Sequence, residues 1–176
     1  DQRQHLEMTR DMAGAFNHQT GLEVLKLPEA VIREEVETIP GTDGQKMSKS
    51  YGNTLDIFLP KNQLKKQVMG ILTDSTPLEE PKNPDTCNVF NLYRLMADEA
   101  QVQQMRQNYL AGGYGYGHAK KELLNLILEQ YGEAREAYQK LMDNPEQIEE
   151  KLRAGAQKVK PIAKEVLGRV RGALGF

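Results

Sequence analysis

The residues best suited to chemistry form one short polar segment, Lys-Met-Ser-Lys-Ser at positions 46–50. Its two lysines are three residues apart, so a bent loop can direct both at one polyanion. Lysine is a compact, mobile cation that can follow a moving charge, and the serine hydroxyls can donate to phosphate oxygens. The segment is therefore predicted to be a mobile phosphate-binding loop, although a lysine pair at this spacing is more often a solvated basic turn.

Glycine and proline residues lie on both sides of this segment. Pro40, Gly41 and Gly44 precede it and Gly52 follows it. Because these residues interrupt helices and central strands, the segment is predicted to be a loop. A predicted helix over residues 1–20 and a predicted strand over residues 22–28 come before it. A loop beyond the end of a strand is where doubly wound α/β sheets bind their ligands.

The five letters are identical to the signature loop of class I aminoacyl-tRNA synthetases, and five fixed letters are more specific than a degenerate pattern. The flanking segments resemble the tryptophanyl branch of that class. They are Thr-Asp-Ser at 73–75, Pro-Lys-Asn-Pro-Asp at 81–85, Gly-Tyr-Gly-Tyr-Gly at 113–117 and residues 1–10. The chain resembles part of a bacterial-type tryptophanyl-tRNA synthetase along all of its 176 residues.

The resemblance implies an α/β fold followed by a bundle of helices. Residues 1–60 are expected to form the C-terminal part of a Rossmann-like catalytic domain, and residues 61–176 a mostly α-helical domain that binds the tRNA anticodon arm. Apolar residues at spacings of three and four predict helices in the second part, at residues 60–72, 88–96, 98–110, 119–141 and 145–174. Pro161 is expected to kink or restart the last helix. The chain is predicted to be predominantly helical overall.

The resemblance also implies which residues bind ATP and act in catalysis. Lys46, Ser48 and Lys49 are the implied catalytic residues, with Lys49 in most direct contact with the transition state and Lys46 following the departing pyrophosphate. The backbone at Met47 is expected to meet adenine. The implied ATP-binding residues are Asp1, Gln2, Thr38, Lys46, Met47, Ser48, Lys49 and Ser50. Asp1 and Gln2 would face the ribose and the amino acid, although Asp1 is also a plausible helix cap.

The implied reaction has two steps. ATP and tryptophan form tryptophanyl-adenylate and pyrophosphate, and the activated acyl group then moves to the terminal ribose of tRNA(Trp). Displacement at the α-phosphate needs neutralisation of the leaving group more than it needs a base. Mg²⁺ is expected to share the phosphate charge, but nothing in the sequence resembles a metal cage made by the protein. The resemblance further implies a homodimer for the full-length protein.

Two family features are absent from the sequence. They are the His-containing loop after the first strand and the acidic residue that receives the indole N–H of tryptophan. The chain is therefore expected to be a C-terminal fragment of a longer enzyme. By itself the fragment is expected not to activate tryptophan.

Two segments of the helical part could contact RNA. The glycines and tyrosines of residues 111–117 favour a tight connection between helices, with direct tRNA contact as the less favoured alternative. Residues 151–176 carry seven lysines and arginines against one glutamate, a local charge of +6. The implied tRNA-binding residues there are Lys151, Lys158, Lys160, Arg169 and Arg171. Without the resemblance, such a run is more often a solvated helix face.

Composition excludes several other classes of protein. The net charge of −2 excludes a nucleic-acid-binding protein that is basic along its whole length. The single cysteine, Cys87, excludes a disulfide framework. No apolar run approaches the length of a membrane span. A cytoplasmic protein that does not enter the membrane is the expected class.

Three alternatives stay open at this point. A tyrosyl-tRNA synthetase shares the fold and the signature loop, although residues 73–75 and 113–117 argue against it. A non-catalytic helical RNA-binding module would carry the five letters by coincidence and would not bind ATP. A purely structural helical bundle would not bind tRNA either.

Overall fold

The structure of the chain is a computed structural model that describes residues 2–32 and 38–176. Within these residues the chain forms seven α-helices joined by turns and loops. They are α1 Arg3–Thr20, α2 Lys61–Met69, α3 Asn88–Tyr93, α4 Glu99–Ala111, α5 Tyr116–Gln130, α6 Gly132–Met142 and α7 Pro145–Ala173. Among the described residues the β-pairing is limited to one isolated antiparallel bridge, between Pro40 and Lys46. The predicted predominance of helix is confirmed.

The chain divides into two compact units. The first comprises Asp1–Glu37 with Leu141–Phe176, and the second comprises Thr38–Lys140. The segment at 46–50, here called the KMSKS loop, belongs to the second unit together with helices α2 to α5. The functional division between residues 1–60 and 61–176 remains a prediction.

In the first unit, α1 is confirmed, but the predicted strand over residues 22–28 is wrong. Gly21 ends α1 in the left-handed conformation, with φ of 66°. The backbone N–H groups of Val24 and Leu25 then donate to Asn17 Oδ1 at 3.1 and 2.9 Å, and Asn17 Nδ2 donates to the Leu25 carbonyl at 2.7 Å. A strand needs a neighbouring backbone for these groups, whereas here one side chain of α1 satisfies them.

The second unit is organised around a core to which helices α2 to α5 all contribute. Both α2 and α3 pack against α5. The fully buried side chains include Leu64, Val68, Phe90, Met105, Tyr109, Leu123 and Ile127. Each large apolar side chain buried in this way contributes about 1.5–3 kcal/mol, so this core is the main source of stability for the loops it supports.

The long predicted helix over residues 119–141 is wrong, because the structure has two helices there. Helix α5 ends at Gln130, its C-cap Tyr131 has non-helical φ and ψ of −106° and 12°, and α6 begins at Gly132. Tyr131 packs against the core, and glycine is a poor helix former. After this break, α6 has a direction in which the Arg135 guanidinium donates to the carbonyls of Ile57 and Leu59.

The remaining helix boundaries follow local capping rules. Asp98 and Gln101 form a reciprocal capping box at the start of α4, as a helix beginning at Asp98 requires. Pro145 occupies the first turn of α7, and the helix continues through Pro161 without restarting.

In the described residues no helix is both long enough and apolar enough to cross a membrane.

The glycine-rich segment between α4 and α5 forms the predicted tight connection. Gly112 and Gly113 have positive φ of 75° and 73°, a conformation that favours glycine. A methyl group at Gly112 would overlap the backbone carbonyl of Glu79. The rings of Tyr114 and Tyr116 pack on Tyr109, with centroids 5.7 and 6.1 Å away.

Candidate active site

The KMSKS loop starts from a miniature hairpin. Met47 N–H donates to the Ile39 carbonyl at 2.9 Å, and Gly41 N–H donates to the Gln45 carbonyl. Gly44, with φ of 83°, closes the turn at residues 41–45, here called the entrance turn. Because Met47 N–H is engaged with Ile39, a contact between this residue and adenine would fall to its carbonyl oxygen, which can accept from the adenine amino group.

Beyond Met47 the backbone makes one turn of 3₁₀-helix, Lys49–Tyr51. Ser48 is extended, and its Oγ accepts from Ser50 N–H at 3.2 Å, which caps this turn. Accepting that bond leaves the Ser48 hydroxyl proton available for donation to a ligand. Gly52 ends the turn in the left-handed conformation, with φ of 66°.

The side chains of the loop divide between solvent and core. Lys46, Lys49 and Ser50 are exposed, and Ser48 is partly buried. Met47 is also partly buried and packs against the apolar core of the second unit. The loop therefore has an apolar anchor, Met47, between its two lysines.

Asn53, which was not among the site residues predicted from the sequence, joins the two halves of the loop. Its Oδ1 accepts from Ser48 N–H at 2.8 Å, and its Nδ2 donates to the Lys46 carbonyl at 3.0 Å and to Asp43 Oδ1 at 2.8 Å. The side chain is buried, with 3% of the residue exposed. The sequence feature that could have indicated this role is an asparagine directly after a glycine, because short amide side chains often form hydrogen bonds with nearby backbone.

Asp43 is the carboxylate of the entrance turn. Its Oδ1 also accepts from Gln45 N–H at 3.0 Å. The hydrogen bond from Asn53 is the main cause that lowers the Asp43 pKa, with that from Gln45 adding to it. Asp43 is therefore an ionised acceptor at neutral pH, committed to holding the turn.

Both ends of the loop are attached to the helical core. On the entrance side, Leu72 N–H donates to the Thr42 carbonyl at 2.8 Å, and Asn88 Nδ2 donates to the Leu72 carbonyl at 2.9 Å. On the exit side, Asp56 N–H donates to Gln67 Oε1 at 3.0 Å. Arg135 holds the same side through the carbonyls described above. The loop thus lies on a framework supplied by helices α2, α3 and α6.

A polar cleft of about 360 Å³ lies beside the entrance side. Its lining includes Thr73, Asp74, Thr86, Cys87, Asn88 and Tyr116. Tyr116 Oη donates to Asp74 Oδ1 at 2.7 Å, so two segments that carried the family resemblance meet here. Hydrogen bonds from Thr76 and Tyr116 lower the pKa of Asp74, while burial and the same Asp74 bond raise the pKa of Tyr116 to about 12.

Lys82, in the third resembling segment, has a structural role in this arrangement. It is 2% exposed, and its Nζ donates to the carbonyls of Pro77, Leu78 and Glu80 at 2.7, 3.2 and 2.9 Å. A buried ammonium with three carbonyl acceptors is well satisfied. It fixes the loop that docks on Gly112 and is not available to a ligand.

The other predicted ATP-binding residues lie apart from the loop in the chain. Thr38 is exposed and directly precedes Ile39, whose carbonyl pairs with Met47. Gln2 is exposed at the N-cap of α1, in the first unit, and makes no capping bond through its side chain. Asp1 lies outside the described residues. The structure therefore brings Lys46 through Ser50 together with Thr38 in one unit.

The predicted RNA-binding cations all lie on α7. Lys151, Lys158, Lys160, Arg169 and Arg171 are exposed, and α7 has no buried side chain. Arg169 pairs with Glu165 at 3.5 Å, one turn away. Such a pair is worth little in solvent, so it leaves the arginine able to exchange its partner for a phosphate.

In residues 2–32 and 38–176 no cluster of three or more His, Cys, Asp or Glu side chains could hold a metal ion. The loop itself offers cations and hydroxyls, which suit phosphate oxygens.

The chain matches the family of class I tRNA synthetases (W and Y) over residues 1–132. It is 50% identical to the tryptophan–tRNA ligase of Fusobacterium nucleatum and 45% identical to that of Campylobacter jejuni, over 100% of this chain and 54% and 55% of those proteins. The chain thus spans about half the length of these curated relatives.

The fold is shared with solved structures. The crystal structure of Campylobacter jejuni tryptophanyl-tRNA synthetase complexed with ADP and tryptophan matches with a TM-score of 0.85 at 44% identity. The match covers 99% of this chain and 55% of that one. A second crystal structure of the same enzyme matches with a TM-score of 0.83 at 43% identity.

Proposed function

Because the chain belongs to the class I tRNA synthetases of the tryptophan and tyrosine group, we propose that it is part of a tryptophan–tRNA ligase. The complete protein would activate tryptophan with ATP and transfer it to tRNA(Trp). The observation that carries the proposal is the KMSKS loop, with exposed Lys46 and Lys49 on a backbone that Asn53 holds. The choice of tryptophan over tyrosine rests on relatives named tryptophan–tRNA ligase at 42–50% identity.

In the proposed activation step, the tryptophan carboxylate attacks the α-phosphate of ATP and pyrophosphate leaves. Negative charge moves onto the leaving group, so cations that meet it late in the reaction raise the rate. Lys49 is assigned to the transition state and Lys46 to the departing pyrophosphate. Ser48 and Ser50 add donors to phosphate oxygens.

The rest of the proposed ATP site extends beyond the loop. The carbonyl of Met47 accepts from adenine, with Thr38 beside it, and Asp1 and Gln2 face the ribose and the amino acid. Residues 1–60 would then be the C-terminal part of a Rossmann-like domain. Mg²⁺ would bind through the ATP phosphates and not through Asp43. The carboxylate of Asp43 already accepts hydrogen bonds from Asn53 and Gln45.

The helical residues 61–176 are assigned to tRNA. The exposed cations of α7 would contact phosphates of the anticodon arm, which supplies affinity without reading sequence. The complete protein would act as a homodimer in the cytoplasm, where tRNA is charged.

The test is ATP–pyrophosphate exchange by the complete gene product, with tryptophan and tyrosine as separate substrates and this 176-residue chain assayed beside it. Exchange with tryptophan in the complete protein and none in the chain alone is expected. Exchange with tyrosine would transfer the proposal to the tyrosyl enzyme. Absence of exchange with either amino acid would leave a non-catalytic RNA-binding module as the remaining function.

A further inference from the structure

We infer that Asn53 is a positioning residue for the KMSKS loop, whose buried amide sets the backbone from which Lys46 and Lys49 reach the phosphates. The inference rests on the proposed function and adds to it a residue that contacts no ligand. It concerns the geometry of the loop, not its charge.

Three hydrogen bonds connect the Asn53 side chain to the KMSKS loop and the entrance turn. The Asn53 amide accepts from Ser48 N–H at 2.8 Å and donates to the Lys46 carbonyl at 3.0 Å. These two backbone groups flank Met47, so one planar amide fixes the chain on both sides of that residue. The second Nδ2 hydrogen is used by Asp43, at 2.8 Å. All three bonds need an acceptor and two donors on one short side chain, which asparagine supplies and aspartate does not.

The space around the Asn53 amide is closely filled. Asn53 is 3% exposed, and a methyl group at Gly41 would overlap its side-chain amide. The backbone carbonyl of Asn53 also accepts from Thr42 N–H at 2.9 Å. The entrance turn is therefore built closely around this side chain, and the amide has little freedom to adopt another rotamer.

Lys49 differs from Asn53 in burial. Lys49 is exposed, so packing of its side chain does not determine where it lies. Its position depends on the backbone beneath it. A displacement of about 1 Å at a reacting centre can cost about 100-fold in rate, so a residue that fixes this backbone affects catalysis without touching ATP.

The ionisable groups near Asn53 determine how an aspartate there would behave. Asp43 on the entrance turn contacts the amide directly, and Lys46 and Lys49 lie on the loop that it holds. Asn53→Asp keeps the acceptor for Ser48 but removes both donors and places a second carboxylate beside Asp43. Two adjacent carboxylates share a proton as the pH falls, and that proton restores one donor.

The experiment uses the complete protein and measures tryptophan-dependent ATP–pyrophosphate exchange for wild type, Asn53→Ala, Asn53→Asp and Lys49→Ala. Asn125→Ala, at an exposed position on α5, is the matched control. Asn53→Ala is expected to lower kcat about 10- to 100-fold with a smaller change in the KM for ATP, because the lysine contacts matter most in the transition state. The control is expected to stay within twofold of wild type.

Two readouts separate positioning from a merely structural role. Combined with Lys49→Ala, Asn53→Ala should cost less than it costs alone, because one of the two lysines that Asn53 positions is already gone. The activity of Asn53→Asp relative to wild type should rise as the pH is lowered from 8 to about 5.5, whereas the relative activity of Asn53→Ala should not.

The outcomes distinguish this inference from the proposed function. If the wild-type protein shows no exchange with tryptophan, the proposed function fails. If wild type is active but both Asn53 variants keep more than half of its activity, the inference is overturned. The inference would also be overturned if Asn53→Ala lowered activity by the same factor in wild type and in the Lys49→Ala variant. A ratio of Asn53→Asp activity to wild-type activity that did not change with pH would overturn it as well. Thermal unfolding checks each variant, and Asn53→Asp, with its unchanged size, carries the test if Asn53→Ala does not fold.

Discussion

The KMSKS loop and helix α7 hold their positive charges in opposite ways. The two lysines of the loop stand on a backbone tied by Asn53, Ser48 and the Ile39–Met47 pairing. The cations of α7 project from an exposed helix with no buried side chain. A reaction that moves one charge over a short distance needs the first arrangement, whereas a long RNA surface needs only the summed field of the second.

The largest expected effect tests the loop side of this comparison. Lys49→Ala in the complete protein should lower the rate of tryptophan activation by about 100-fold or more, the usual cost of removing a dedicated donor to developing charge. ATP–pyrophosphate exchange measures it, with Lys65→Ala on the exposed face of α2 as the control. A loss below tenfold would contradict the role of Lys49.

Two glycine substitutions sharpen the contrast between close packing and exposure. Gly41→Ala should destabilise the protein by about 1–3 kcal/mol, because the new methyl group overlaps Asn53. Gly168→Ala on α7 meets nothing within 4 Å and should stabilise that helix by about 0.5–1 kcal/mol. Urea midpoints measure both changes, and effects of the same sign would remove the distinction.

The cations of α7 are expected to act together and weakly. Lys158→Ala with Lys160→Ala should weaken tRNA binding roughly tenfold at moderate salt and reduce the salt slope by about one for each lysine. Amino-acid activation without tRNA should not change. Binding titrations at several salt concentrations measure this, with Lys121→Ala on α5 as the control; an unchanged slope would remove α7 from the proposed interface.

The smallest effects concern exposed polar pairs. Tyr116→Phe removes a donor to Asp74, whose pKa is lowered by Thr76 first and then by Tyr116. A lowered carboxylate pKa gives stability that is present above the ordinary value of 3.8 and is lost as the pH falls through the folded value. The variant should thus lose about 1 kcal/mol or less at pH 7, and less near pH 3.

On α7 the matched change is Arg169→Gln, which breaks the exposed pair with Glu165. It should cost less than about 0.5 kcal/mol, and added salt should abolish the cost because solvent ions screen such pairs. Urea unfolding with and without salt measures it. If Arg169→Gln lowered stability more than Tyr116→Phe does, the expected order would be reversed, with the pair on α7 contributing more than the pair at the polar cleft.

Features that depend on neighbours in the chain were predictable from the sequence. The capping pair Asp98 and Gln101, the glycine turn before α5 and the start of α7 at Pro145 all follow from contacts within about four residues. The KMSKS letters indicated the lysine loop and the family for the same reason, since the motif is contiguous. Local steric and hydrogen-bonding rules are sufficient for such features.

Features that depend on which groups meet in space required the tertiary structure. Residues 22–28 have a strand-like composition, yet the Asn17 side chain satisfies the backbone of Val24 and Leu25. Asn53 resembles an ordinary loop residue until its burial and its bonds to Lys46, Ser48 and Asp43 are known. Lys82 would be expected at the surface because lysine is usually exposed, but its ammonium group donates to three carbonyls.

The sequence by itself thus determined where the charges of the KMSKS loop lie and to which family the chain belongs. Only the tertiary structure decided how that loop is held, because a polar side chain can satisfy a backbone that composition assigns to a strand or to solvent.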